Sequence, residues 1–367
     1  MDCGDLEVAA PIFARAARHQ TYAELSAELR HDYDLLTAPP LAAAKSKKPL
    51  ALLGAVAALA IAVGALLHFS PWKRGAGGAG TPRRLPSSVA QETRDGARVP
   101  PSPASATNDA PFVNSLGMKF VPVPITGGAT GGQRVLFSVW DTRVQDYEVF
   151  AMETKRKWPK ADFEQGPTHP AVYVNWEDAT AFCVWLTERE RKAGRLAANE
   201  SYRLPSDPEW SCAVGIGDKE DAAKLPDEKG GSISDTFPWG TQWPPPENAG
   251  NYASEELQKL PVVEKFRSIN GVIAGYRDGY ANTAPAGTYA ANRLNLFDMG
   301  GNVWQWCGDW FEKERQNRVL RGASWTDGAP GLLLSSLRGR GTSTDRSNFS
   351  GFRCVLETAP SPAPAGR

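Results

Sequence analysis

Histidine and cysteine are scarce in this chain of 367 residues, which holds four of the first and five of the second. His19, His31 and His68 precede the region that reads as folded, leaving His169 alone within it. A multi-histidine iron or zinc centre is thereby excluded. Cys3, Cys183, Cys212, Cys307 and Cys354 lie far apart, and no Cys-x-x-Cys spacing occurs. That disfavours zinc and leaves buried thiols or disulfides. Net charge is also missing: 41 basic and 41 acidic residues cancel, so no overall field marks a binder of nucleic acid or acidic lipid. No repeat of fixed period is visible, which argues against a propeller or solenoid.

Long apolar runs are absent but for one. Residues 49–71 carry no Asp, Glu, Lys or Arg, and 50–67 is an almost unbroken run of Leu, Ala, Val, Ile and Gly. That length spans a bilayer core, so a single transmembrane helix is predicted. A buried core helix is rarely so uniformly apolar, and a signal peptide's apolar stretch is shorter and nearer the terminus. Arg30, Lys45, Lys47 and Lys48 before the span balance Lys73, Arg74, Arg83 and Arg84 after it. The three lysines beside the membrane favour a cytoplasmic N-terminus, which puts the large domain outside. Residues 1–48 form a short stub with one helical pattern over 22–36. Residues 72–110, rich in Gly, Pro, Ser and Ala, read as a flexible linker, and 358–367 as a disordered tail.

Tryptophan is what this chain has in quantity, with twelve residues that each want apolar contact and an indole N–H partner. The domain at 111–357 opens with a Pro-broken strand over 112–124, Gly-rich residues and a second strand over 135–140, which predicts a hairpin. Three helix starts carry capping chemistry: Thr142 with Gln145, Asn175 with Asp178, and Ser206 with Glu209 behind Pro208. In the second, Ala179, Phe182, Cys183 and Leu186 share one face. After Val214 the composition predicts loops held by packing, metal or turns.

Six segments, in order, carry a family resemblance. They are His169-Pro170 with Val174-Asn175-Trp176-Glu177-Asp178-Ala179 and Phe182-Cys183; Tyr202-Arg203-Leu204-Pro205-Ser206-Asp207-Pro208-Glu209-Trp210; Phe237-Pro238-Trp239-Gly240; Phe297-Asp298-Met299-Gly300-Gly301-Asn302-Val303-Trp304-Gln305-Trp306 with Asp309-Trp310; Arg318-Val319-Leu320-Arg321-Gly322-Ala323-Ser324-Trp325; and Gly351-Phe352-Arg353-Cys354. Together they resemble the formylglycine-generating, or sulfatase-modifying factor, enzyme family. The resemblance implies a single irregular, loop-rich α+β domain of C-type lectin-like fold behind the transmembrane helix. Most tryptophans then belong to the core, and Arg203, Glu209, Arg321 and Arg353 to internal ion pairs rather than catalysis.

Catalytic members of that family use two cysteines that bind copper(I) shortly after the Arg-Gly-Gly-Ser motif, an ion suited to soft thiolates. Here those positions hold Asp327 and Leu332. Neither replaces a thiolate, so neither copper nor formylglycine formation by the family mechanism is expected. Trp304 and Ser324 match positions bordering the substrate groove, with Asp327 beside them, while the family's asparagine before Gly-Phe-Arg is displaced to Asn348 or replaced by Phe349. An iron-dependent branch fits poorly, for want of histidines and of its second domain. Ser324 lacks a Gly-x-Ser-x-Gly elbow, and a structural hydroxyl is the better reading.

The resemblance also implies structural calcium. One site would use the Asn251 and Asp278 side chains with the Tyr252 and Tyr280 carbonyls. The other would use Asp298 and Gln305 with the Gly301 and Val303 carbonyls. Cys183 and Cys354 match a pair bridged in secreted relatives; Cys212 and Cys307 are buried thiols or pair with each other. The function expected is a non-catalytic module binding a protein, peptide or glycan. The alternative is a formylglycine-generating-type oxidoreductase of altered chemistry.

Overall fold

The computed structural model describes residues 101–259 and 271–358. The stub, the 49–71 span and the tail after 358 lie outside the described residues. Among the described residues no helix is long and apolar enough to cross a membrane.

Ordered packing begins ahead of residue 111. Arg134 donates to the carbonyls of Pro103 (2.7 Å) and Ala106 (3.2 Å), and Ala106 is buried. The first strands are β1 (Phe112–Val113), β2 (Lys119–Pro124) and β3 (Arg134–Ser138). β2 and β3 form the expected hairpin, though the 112–124 run is two short antiparallel strands rather than one. Pro122 and Pro124 lie beyond the β1 pairing, on an edge of β2 where no N–H is needed. β4 (Ser201–Arg203) and β9 (Val355–Glu357) complete an antiparallel sheet of order β1-β2-β3-β9-β4.

Strand alternation divides the interior into two cores. Phe120, Leu136, Tyr202 and Leu356 face one, with Tyr147, Phe182, Cys183 and Trp306. Val121, Val135, Phe137 and Val355 face the other, with Trp210, Leu296 and Met299.

The first core is roofed by α1 (Val144–Thr154) and α2 (Trp176–Lys192). On α2 the four apolar residues of the expected face are all buried. Asn175 caps this helix by accepting from the Asp178 N–H at 2.8 Å. At α3 (Asp207–Val214) Ser206 and Glu209 close the expected box, Glu209 accepting from the Ser206 N–H at 2.8 Å. The expected Thr142–Gln145 cap is corrected by one residue. The N-cap of α1 is Arg143, and the Asp146 carboxylate accepts from its backbone N–H (3.1 Å) and its guanidinium (2.8 Å).

The stretch after Val214 is not all loop. Beyond a one-turn α4 (Pro226–Lys229) come β5 (Trp304–Trp310), β6 (Arg318–Arg321), β7 (Gly339–Gly341) and β8 (Ser350–Gly351). They pair in the order β7-β6-β5-β8, with β8 parallel to β5 and the others antiparallel. The period-2 signal fails because Trp304, Gln305, Trp306 and Cys307 are all buried, so both faces of β5 are covered.

Candidate functional site

β6 delivers the chain to a turn in which Gly322 and Ala323 both have positive φ (100° and 62°). The turn presents Ser324, Thr326 and Asp327 beneath Trp304 of β5. One Asp327 oxygen, Oδ2, accepts from Ser324 N (2.9 Å), Ser324 Oγ (2.7 Å) and Trp304 Nε1 (2.9 Å). Trp304, Ser324 and Asp327 thus meet, but all three are buried. Leu332, at the other cysteine position, is half-buried on a 3-10 turn, Pro330–Leu332. Asn348 donates its amide to Asp162 (3.0 Å), and half-buried Phe349 packs among the apolar residues. The locus holds a carboxylate wrapped by donors, with nothing in it that can be a thiolate nucleophile.

Burial raises the Asp327 carboxyl to about 6, against the opposing hydrogen bonds from Ser324 and Trp304. Its unfolded value is about 3.9. The folded protein therefore binds this proton more tightly, and the penalty on the charged form grows as pH rises from about 4 to 6. Asp327→Asn should gain relative to wild type by roughly 2–3 kcal/mol between pH 4 and 7. Paired melting curves check this, and a gap between variant and wild type that stays constant with pH would contradict it.

Nearby, two loop segments converge. Asp278 accepts from Tyr252 N (3.0 Å), Ser254 Oγ (2.9 Å) and Tyr280 N (3.0 Å). Asn251 donates its amide nitrogen to the Asn282 carbonyl (2.7 Å), while its Oδ1 is buried without a partner. Burial raises Asp278 to about 6. Of this first set the Asn251 Oδ1 is left without a partner, while the Tyr252 carbonyl accepts from Ser254 N (2.6 Å) and the Tyr280 carbonyl from Ser254 Oγ (3.5 Å).

The second set is arranged differently. Asp298 Oδ2 accepts from Gly287 N (2.7 Å) and its Oδ1 has no partner. The Gln305 oxygen, however, accepts from Trp210 Nε1 (3.0 Å) and Arg353 Nε (2.8 Å), and its amide nitrogen donates to the Asp298 carbonyl (2.7 Å). Gln305 is spent on packing. Gly301 (φ 79°) passes so near the Asn251 carbonyl that a Cβ would collide with it, while buried Val303 leads into β5. Among the described residues no group of three or more His, Cys, Asp or Glu gathers to hold a metal.

The arginines make the internal ion pairs expected of them. Arg203 grips Glu209 with two 2.7 Å bonds, and Arg353 donates to Gln305, Asp141 and the carbonyls of Ser138, Phe297 and Asp298. Arg321 belongs to a larger cluster that sequence reading missed. Asp207 receives Arg321, Arg338 (3.0 Å) and Lys229 (2.8 Å), all buried, and Arg338 also holds Glu220 (2.6 Å). Burial alone would raise Asp207, but Arg321, Arg338 and Lys229 hold it well below the usual carboxylate range.

The cysteines in the described region are buried and free. Cys183 and Cys354 lie with their sulfurs 3.5 Å apart, and burial, then Cys354, raises the Cys183 thiol well above its ordinary value. The Cys212 sulfur accepts from Thr126 N (3.4 Å), and Cys307 sits within the second core.

A family model described as a sulfatase-modifying factor enzyme 1-like domain matches residues 107–358. A formylglycine-generating enzyme of Streptomyces coelicolor is 28% identical over 213 residues, covering 53% of this chain and 55% of that protein. A Mus musculus protein named inactive C-alpha-formylglycine-generating enzyme 2 is 30% identical over 192 residues, covering 51% of this chain and 48% of that one. The chain spans about half the length of these curated relatives. Among solved structures, PvdO from Pseudomonas aeruginosa superposes with TM-score 0.44 at 20% identity, covering 66% of this chain and 96% of that one.

Proposed function

Because this chain belongs to the sulfatase-modifying factor enzyme 1-like domain family, we propose that it uses the family scaffold as a membrane-anchored, non-catalytic module that binds a protein, peptide or glycan. The observation that carries this reading is Asp327, a buried carboxylate held by Ser324 and Trp304 where the family's copper-binding chemistry needs a thiolate. Leu332 at the second position supplies no ligand at all. The relative named as inactive supports the same reading. Residues 49–71 anchor the chain, and the domain faces away from the cytoplasm, where Cys183 and Cys354 are placed to oxidise to a bridge. The test is copper-dependent turnover of a cysteine-containing sulfatase peptide by the whole chain, read by mass spectrometry.

Calcium belongs to this proposal as a structural ion of the first loop set. Asn251 and Asp278 with the Tyr252 and Tyr280 carbonyls would hold it, and the ion would tie the two segments together. An ion bound only by the folded state adds about 2.7 kcal/mol at a hundredfold excess over its dissociation constant. Chelation should lower the melting temperature, and Asp278→Ala should remove most of the calcium response, while Asp298→Ala leaves the response of this set intact. A melting temperature indifferent to chelator would remove calcium from the account.

A further inference from the structure

Charge cancels over the whole chain but not locally. At 152–160, where α1 ends and a loop turns back along it, the run Met-Glu-Thr-Lys-Arg-Lys-Trp-Pro-Lys holds four cations and one acid. Glu153 is spent on Arg189 and on the Trp185 indole (3.0 Å), and Arg156 on Asp178 (2.5 Å). Lys155 and Lys157 are exposed, and neither has an ion pair among the described residues. The loop is held in place: Lys155 ends α1 in the left-handed region (φ 55°), and Trp158 donates to the Val172 carbonyl (2.8 Å) and packs edge-on against Tyr147 (4.8 Å). Glu148 and Met152, four residues apart, share one face of α1. Lys160 comes back to Glu148 (2.8 Å), with its ammonium 4.6 Å from the Trp158 ring. Met152, 72% exposed, is the most exposed large apolar side chain among the described residues. One stretch of surface thus brings Met152 together with Lys155, Lys157 and Lys160.

We propose that this surface rests on an anionic lipid bilayer to which the chain is already tethered, a reading that takes the 49–71 anchor proposed above as given. Residues 72–100 keep the domain within about 100 Å of that anchor even at full extension. The bilayer is then the partner always present at high local concentration, and a contact too weak to recruit a free macromolecule suffices. The chemistry matches. Each lysine beside an anionic surface strengthens the contact about fivefold, and an exposed thioether enters the boundary between headgroups and acyl chains. A run of charge alone is ordinarily a solvated face. Here the run lies in a fixed loop, keeps two lysines free of acids and surrounds an exposed methionine, which a solvated face does not need.

Hydrogen exchange of the full chain reconstituted in phosphatidylcholine vesicles, with and without phosphatidylglycerol, tests this. Amides over 152–160 are expected to exchange several-fold more slowly with phosphatidylglycerol. Salt at about 1 M, where the screening length is about 3 Å, should remove the difference. Lys155→Gln combined with Lys157→Gln should lower the ratio of docked to free domain roughly thirtyfold and abolish the protection, while the rest of the domain exchanges as before. Equal exchange in the two kinds of vesicle would overturn the lipid contact and leave the anchor standing. Release of the chain from pure phosphatidylcholine vesicles by salt would overturn the anchor, and the contact with it. Greater protection from soluble polyglutamate than from phosphatidylglycerol would assign the surface to an acidic macromolecule, and would equally overturn the assignment to lipid.

Discussion

Asp207→Ala is expected to destabilise the domain by about 3–5 kcal/mol, because it strips a buried cationic cluster of its shared anion. Arg321, Arg338 and Lys229 all converge on this carboxylate, and each is buried. After the substitution Arg321 and Lys229 would lose this ion pair, while Arg338 would keep Glu220. For a domain of this size the cost corresponds to a fall in melting temperature of roughly 6–20 °C. The contrast is Glu148→Ala, which breaks a solvent-exposed pair with Lys160 (2.8 Å). That variant should stay within about 0.5 kcal/mol of wild type. Thermal melts of both variants check the pair. Equal losses, or a negligible loss at Asp207, would show that the cluster is not a linchpin of the fold.

Trp306→Ala should cost about 3–5 kcal/mol by a different physical route. Trp306 is buried in the first core, and its indole N–H donates to the Val174 carbonyl at 2.9 Å. Alanine opens a cavity under α2 and leaves that carbonyl without its donor, which adds a penalty of its own. Trp306→Phe separates the two effects, since it restores most of the volume but not the hydrogen bond. It should recover more than half of the loss in denaturant midpoint. If phenylalanine and alanine were equally damaging, the hydrogen bond rather than packing would be the dominant contribution.

What could be read from the sequence was local chemistry. The Asn175 and Ser206 caps lie within one turn of the groups they satisfy, so residue type and spacing suffice to find them. The Thr142 cap that the spacing suggests does not form, because Asp146 reaches back to Arg143, and the arginine's extended backbone, not a cap side chain, begins the helix. β5 was illegible for the opposite reason: with four consecutive residues buried, it has no solvent face to print an alternating pattern. The Asp207 cluster joins residues more than a hundred positions apart, and in the Ser-Asp-Pro-Glu-Trp segment Asp207 looks like one more first-turn acid. Motif resemblance, not periodicity, names Asn251 with Asp278 and Ser324 with Asp327; of these the Ser324–Asp327 contact is present, and Asp278 meets the 251 segment through Tyr252 N. It also names Gln305 as a ligand of the second ion, and the packing partners of that side chain are not legible in any motif: its oxygen accepts from Trp210 and Arg353.

The family scaffold is proposed here to lack its oxidative chemistry because Asp327 and Leu332 stand in the thiolate positions. Copper(I)-loaded full-length chain should be incubated under air with a cysteine-containing sulfatase peptide, and the peptide analysed by mass spectrometry for the aldehyde product. The account predicts no formylglycine above the level given by copper alone. Copper-dependent product that accumulates with time and scales with protein concentration would contradict it.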